Sequence, residues 1–291
     1  MEKAKVYFTK KIEPQSLIEI YKKLGITLPG KVAVKLHSGE EGNKNYLKPE
    51  FVKDIIEYLD ATVVECNTAY EGARNTTEKH NKLMEKHGWN KYFNVDILDS
   101  ESDDILKIEN GKNIKKNYVG SKMKNYDSIL VLSHFKGHPM GGYGGAIKNI
   151  SIGLASSKGK EYIHTNGKDD AKYEDLFTAN HDMFLESMAD AAKSIMDLYK
   201  NKIACINVMV NMSVDCDCCS NAKKPCMNDI GILASLDPVA LDQACIDLVY
   251  NANDEGKKHL IERIETRNGL HTIKAAEDLK IGTKEYELIE I

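Results

Sequence analysis

The chain has 291 residues, 42% hydrophobic and 29% charged, with a formal net charge of -4 at pH 7. That length suits one large α/β domain, and the mildly acidic balance excludes a general attraction to nucleic acid or to an anionic membrane surface. No apolar run reaches the ~18 residues that span a bilayer, and the lysine-bearing N-terminus lacks the apolar core of a secretory leader, so a cytoplasmic protein is expected.

Residues 5–8 predict a strand, 15–24 a helix behind Pro14, and 31–36 (KVAVKL) a second strand. Pro49 opens a helix over 50–59, where Phe51, Val52, Ile55, Ile56 and Leu59 form one apolar stripe at helical spacing. A strand over 62–66, a helix over 76–87 stopped by Gly88, and a strand over 94–98 follow. This alternation predicts right-handed βαβ units and an α/β fold with a mainly parallel sheet and flanking helices. One domain over residues 1–291, or two α/β lobes around a central cleft, would satisfy it. Residues 101–126 are polar and read as a β-excursion, and 128–132 (SILVL) as a buried parallel strand. Helices are predicted over 146–155, 179–199 and 238–250, and strands over 202–210 and 230–234. Two short helices and a strand over 285–291 finish the chain.

Chemistry concentrates behind predicted strands, where parallel α/β sheets collect their ligands. The densest segment is 133–157, SHFKGHPMGGYGGAIKNISIGLASS. His134 and His138 flank Lys136 and offer groups that bind metal or move protons. Gly141, Gly142, Gly144 and Gly145 permit tight turns and close backbone approach to a ligand. Lys148 and Asn149 follow, on a helix whose N-terminus is expected to face an anion. The pattern is neither a Walker A loop nor G-x-G-x-x-G, so flavin is one phosphate-bearing cofactor among others.

The second segment is DCDCCSNAKKPC, residues 215–226. Cys216, Cys218, Cys219 and Cys226 are soft ligands for a transition metal or an iron–sulfur cluster, and Asp215 and Asp217 are candidates to complete a mixed set. In a reducing compartment such crowding reads as metal-binding or redox-active rather than as a disulfide framework. The C-x-C-C-x6-C spacing is not that of a zinc ribbon, so the metal stays open. A redox dithiol and a loop of incidental thiols are the alternatives.

The third segment is KLHSGE, residues 35–40, where His37 and Glu40 are candidates for ligation or proton transfer. Glu65, Asn67 and Thr68 end the next strand and are placed to line the same cleft. His164 and Asp229 are lesser candidates. Asp237, before Pro238, reads as a helix N-cap. Cys66, Cys205 and Cys245 read as core, and the remaining histidines need no special role.

KLHSGE, the HFKGHPMGGYGGAIKNISIGLASSKGK run, and CDC followed by DIGILASLDPVALDQACIDLV together resemble domain-of-unknown-function family 362, over about residues 5–250. The resemblance implies an iron–sulfur-centre protein. Many members carry a ferredoxin-like insert with two runs of clustered cysteines; here residues 158–182 hold no cysteine, so that module is absent. Cys216 and Cys218 match the family's CDC element, while Cys219 and Cys226 have no counterpart. The His-Lys-Gly run also resembles, more distantly, a segment of the lactate racemase family, whose histidines and lysine hold a nickel pincer cofactor. The expected function is a metal- or iron–sulfur-dependent redox protein, an oxidoreductase acting on a small anionic ligand or cofactor and served by an electron-transfer partner. The alternatives are a non-catalytic metal or cofactor carrier and a metal-cofactor-dependent isomerase or racemase.

Overall fold

A computed structural model describes residues 3–172 and 174–291. The chain opens with β1 (Ala4–Thr9), α1 (Pro14–Lys23), β2 (Val32–Lys35), α2 (Pro49–Tyr58), β3 (Thr62–Glu65), α3 (Thr77–Lys86) and β4 (Val95–Ile97). Proline occupies the first turn of α1 and α2, where its missing N–H costs nothing. The Thr76 hydroxyl caps α3 by accepting from the Lys79 amide at 3.3 Å. The polar excursion is an antiparallel hairpin, β5 (Asp103–Lys107) and β6 (Lys116–Gly120).

β7 (Ser128–His134) follows, then a second small hairpin of β8 (Lys136–His138) and β9 (Gly142–Gly144). Next come α4 (Ala146–Ser151), α5 (Ser157–His164), the four-residue α6 (Asp175–Thr178) and the long α7 (His181–Tyr199). The chain closes with β10 (Ile203–Met209), β11 (Gly231–Ser235), α8 (Pro238–Asn251), α9 (Lys257–Thr266), α10 (Leu270–Asp278) and β12 (Tyr286–Glu290). Asp237 caps α8 as expected, accepting from the Val239 and Ala240 amides at 2.9 Å each.

Eight strands lie in the order β12-β1-β11-β10-β7-β2-β3-β4, and β11 alone among them runs against its neighbours. Side chains alternate faces along each strand. Ile129 and Val131 of β7 join the core beneath α4, α7 and α8, while Leu130 and Leu132 join the core beneath α1 and α2.

The carboxyl edge of this sheet is stepped. Lys35, the last residue of β2, pairs opposite Val131, so β7 runs three residues further, still paired to β10 through His134. The step leaves room above β2 and β3 that the following loops enclose. The predicted helix over 146–155 is shorter than expected and ends at Ser151. Ser151 Oγ donates back to the Ile147 carbonyl at 2.9 Å, and a side chain at Gly153 would strike the Asn149 carbonyl.

Candidate functional site

A cavity of about 390 Å³ occupies the space above the step, inside the roughly 300–1,000 Å³ range of small-ligand sites. Residues from all three predicted segments line it: His37 after β2, His134, Lys136 and His138 from the β7–β8 region, and Cys216, Cys218 and Cys219 from the loop between β10 and β11. Loop-to-loop bonds hold the convergence in place. The Glu40 amide donates to the Asp217 carbonyl at 2.9 Å, and Asn43 Nδ2 donates to the Cys219 carbonyl at 2.9 Å.

Asp217 is the hub. Its carboxylate is 1% exposed, so its charge must be matched locally. His134 Nδ1 donates to it at 2.9 Å and Lys136 Nζ lies at 2.9 Å. Burial opposes the charge, but His134 and Lys136 outweigh it and hold the Asp217 carboxyl well below its ordinary range. Burial likewise opposes the Lys136 ammonium, and Asp217 again prevails, raising it. His134 Nε2 faces the Val210 carbonyl at 2.6 Å. Both ring nitrogens therefore face protein oxygens, which occupies the ring within the brace. The structure thus places Asp217 as a brace for His134 and Lys136, apart from the sulfur atoms with which the sequence had grouped it.

The sulfur group is smaller than the cysteine count suggested. Among the described residues, His138, Cys216 and Cys218 bring ligand atoms within 4.8 Å of one another. Cys218 Sγ lies 3.8 Å from His138 Nε2. The Cys216 thiol is pushed up to about 11 by its contact with Cys218 and by burial. The Cys218 thiol also rises to about 11: its contact with Cys216 pulls it down, but Cys219 and burial outweigh that. Cys219 lines the cavity outside this group. Cys226 lies apart, its thiol donating to the Met212 carbonyl at 3.3 Å beside a separate surface depression. Asp215 also lies apart, accepting from the Lys223 amide at 3.0 Å, and Asp229 accepts from the Asn211 amide at 2.7 Å. The four-thiolate set of a common iron–sulfur cluster is not assembled.

Both remaining histidines are neutral near pH 7. Burial and the Lys148 charge bring His138 down to about 4, and burial and Arg74 pull His37 well below its ordinary value. His138 Nδ1 accepts from the Met140 and Gly141 amides at 3.2 and 2.8 Å, and His37 Nδ1 accepts from the Gly39 amide at 3.0 Å. Each neutral ring therefore carries its proton on Nε2.

The glycine segment departs from expectation. The amides at the start of α4 do not await an external anion: Asp242 accepts from Ala146 and Ile147 at 2.7 and 3.0 Å. Gly145 is needed because any side chain there would strike that carboxylate. Gly142, at φ +77°, packs against Gly269 rather than a ligand. Gly141 donates to His138, and Gly144 lies against the Lys136 stem. Asn149 Nδ2 donates to Ser133 Oγ at 3.1 Å and ties α4 to the strand ends. Of the two lysines expected to hold an anion, Lys136 is paired with Asp217, while Lys148 faces the cavity without a carboxylate partner among the described residues.

Sequence reasoning missed a buried ionic layer behind the cavity. Lys35 Nζ pairs with Glu65 at 2.7 Å, and Ser38 donates to Glu65 through its amide and its hydroxyl at 2.9 and 3.0 Å. Arg74 pairs with Glu40 at 3.2 Å and donates to the Tyr70 hydroxyl at 2.7 Å. Glu40 is thereby spent on Arg74 and Tyr70. Asn67 and Thr68 bond within their own loop region, to Thr77 and to the Tyr70 carbonyl. One signal was available: Lys35 interrupts the otherwise apolar strand VAVKL, a position that buries a charge.

Fold and site together define an α/β protein with a cation-lined cavity at the sheet's carboxyl edge and a candidate His/Cys metal group. Among the described residues no helix is long and apolar enough to cross a membrane. Residues 32–247 match the family described as Domain of unknown function (DUF362), and the chain belongs to that family. Outside the match, β1 and β12 complete the same sheet. No curated protein matches the chain. Similar solved structures include the lactate racemase apoprotein from Thermoanaerobacterium thermosaccharolyticum, at 14% identity and TM-score 0.42, covering 70% of this chain and 50% of that one. A protein from Thermotoga maritima is 10% identical at TM-score 0.42, covering 91% of this chain and 58% of its own. The matches thus cover 50–58% of the length of those proteins, and the likeness concerns the fold alone.

Proposed function

We propose that this DUF362 protein is a metal-dependent enzyme acting on a small organic anion bound in the cavity above β2 and β7. One observation carries the reading: the ligand atoms of His138, Cys216 and Cys218 lie within 4.8 Å of one another on the wall of that cavity. Two thiolates and an imidazole suit a soft or borderline divalent metal and leave a coordination position open to the cavity, as catalytic sites do. The metal would supply Lewis-acid or redox chemistry there. The absence of a four-thiolate set favours a single ion over a cluster.

Ligation has a cost that the structure defines. His138 must give up its Nε2 proton, and moving that proton to Nδ1 breaks its contacts with the Met140 and Gly141 amides. The two thiols must also ionise. Metal binding therefore releases protons, and affinity rises with pH from 6 to 9, below the thiol values of about 11.

Anaerobic titration with Co(II) tests the reading. One equivalent is expected to produce thiolate-to-metal charge-transfer absorption, stronger at pH 8 than at pH 6. Cys216→Ser and Cys218→Ser should abolish it, and Cys226→Ser should leave it intact. A wild-type protein without the absorption, or one equally impaired by Cys226→Ser, would overturn the metal assignment.

A further inference from the structure

The cavity's cations are not equally matched. Lys35 pairs with Glu65, Arg74 with Glu40 and Glu65, and Lys136 with Asp217. Lys160 is buried and donates to the Ala155 carbonyl. Lys148 differs: it lines the cavity, half-buried, with no acceptor and no carboxylate among the described residues. Its charge is felt at His138 and Cys218 on one side and at His164 on the other. Lys148 therefore offers the cavity a positive charge that no described carboxylate offsets.

That far wall is apolar. Ile152, Met140, Leu176 and Phe177 line it. His164 is stacked on Phe184 at 4.6 Å between ring centroids and is tied by Nδ1 to the Lys160 carbonyl, which fixes the ring as part of the wall. Leu176 and Phe177 belong to α6, a four-residue helix that buries none of its side chains. Phe177 is 65% exposed at the cavity mouth.

Resting on the cavity assignment above, we infer that the ligand is an amphipathic organic anion. Its single anionic head, a carboxylate or similar group, sits on Lys148, and its apolar body of several carbons lies under Leu176 and Phe177. This places the atoms next to the head beside His138 and Cys218. It also separates this site from one for acetate-sized ligands, which would leave the apolar wall uncovered.

Calorimetric titration with hexanoate, acetate and 1-hexanol tests this on the intact chain. Each methylene that leaves water improves binding by about fourfold at full burial, so hexanoate should bind at least about tenfold more tightly than acetate. Hexanol lacks the charge-assisted bond and should bind about tenfold more weakly than hexanoate. Lys148→Met should weaken hexanoate by about tenfold or more, with Lys148→Arg retaining it. Leu176→Ser/Phe177→Ser should bring hexanoate toward acetate without altering acetate. Equal binding of acetate and hexanoate, or hexanoate binding indifferent to Lys148→Met, would sink the inference. The Co(II) absorption is the separating control. If it is present in the wild type while hexanoate binds no better than acetate, only this inference falls; if it is missing from the wild type, the metal reading falls and the hexanoate comparison still decides the ligand class.

Discussion

Two buried carboxylates clamp the glycine segment, one at each end, in opposite electrostatic states. Asp217 holds the start, through His134 and Lys136; Asp242 holds the end, through the Ala146 and Ile147 amides and Asn207 Nδ2. Their exposures are 1% and 0%, so burial does not distinguish them. Their partners do. Asp217 meets positive charge and is held well below its ordinary range. Asp242 meets only neutral donors; burial raises its carboxyl to about 6, although those donors pull the other way. A buried acid with cations beside it belongs to an ionic layer that can receive an anion's chemistry. A buried acid with amides beside it is a fastening.

Removing each acid should expose that difference. Asp217→Ala leaves Lys136 and His134 buried without their counter-charge, and breaking such a pair costs about 3–5 kcal/mol. Asp242→Ala leaves amides unpaired but strands no charge, at about 1–3 kcal/mol. Denaturant unfolding of the two variants should rank them in that order. Equal losses would mean that Asp217 is no more than another cap. Should Asp217→Ala fail to fold, Asp217→Asn, which keeps the shape, supplies the same ranking against Asp242→Asn.

The second test uses pH. The folded Asp242 carboxyl titrates near 6, against 3.8 as its ordinary value. Between those values the native state keeps a proton that the unfolded chain has lost, so this group's contribution falls as pH rises from about 4 to 6, by about 3 kcal/mol. Asp217 has the opposite sign: its folded value is depressed, so its contribution is present above about pH 4 and lost on acidification. Relative to wild type, Asp242→Asn should gain stability from pH 4 to 6, and Asp217→Asn should lose less in acid. A wild-type-minus-Asp242→Asn difference that is flat with pH would show that Asp242 is ionised throughout, its three donors having won over burial.

The two ends of the clamp also differed in how legible they were. His134, Lys136, His138 and Lys148 stand within fifteen residues behind an apolar strand, so their shared location could be read directly. The parallel sheet was readable for the same reason, through alternating short apolar runs and amphipathic segments. Asp217 was visible but misplaced: flanked by Cys216 and Cys218, it reads as a further ligand, and only the fold shows that the loop after β10 turns it toward His134. Asp242 stood beside Asp229 and Asp237 as a smaller candidate without a role, because DPVALDQA reads as an ordinary helix start with Asp237 as its cap. Arg74 and Tyr70 lie in a polar loop where burial leaves no mark on composition. Pairings across 76 and 96 residues, His134 with Val210 and Ala146 with Asp242, depend on topology rather than on any local pattern.

Lys148 offers the smallest effect and the clearest control, because it belongs to neither clamp. A half-buried ammonium without a partner contributes nothing to the folded state that solvent would not supply. Lys148→Met should therefore shift the unfolding free energy by less than about 0.5 kcal/mol. It should also relieve His138, whose value Lys148 helps to lower to about 4. NMR titration of that imidazole should show its midpoint moving upward in the variant, while His80, held down by burial and facing Glu65 and Arg74 rather than Lys148, stays low. A loss of several kcal/mol on Lys148→Met would mean that the lysine is a structural counter-charge after all, and the cavity would then have no spare cation to offer an anion.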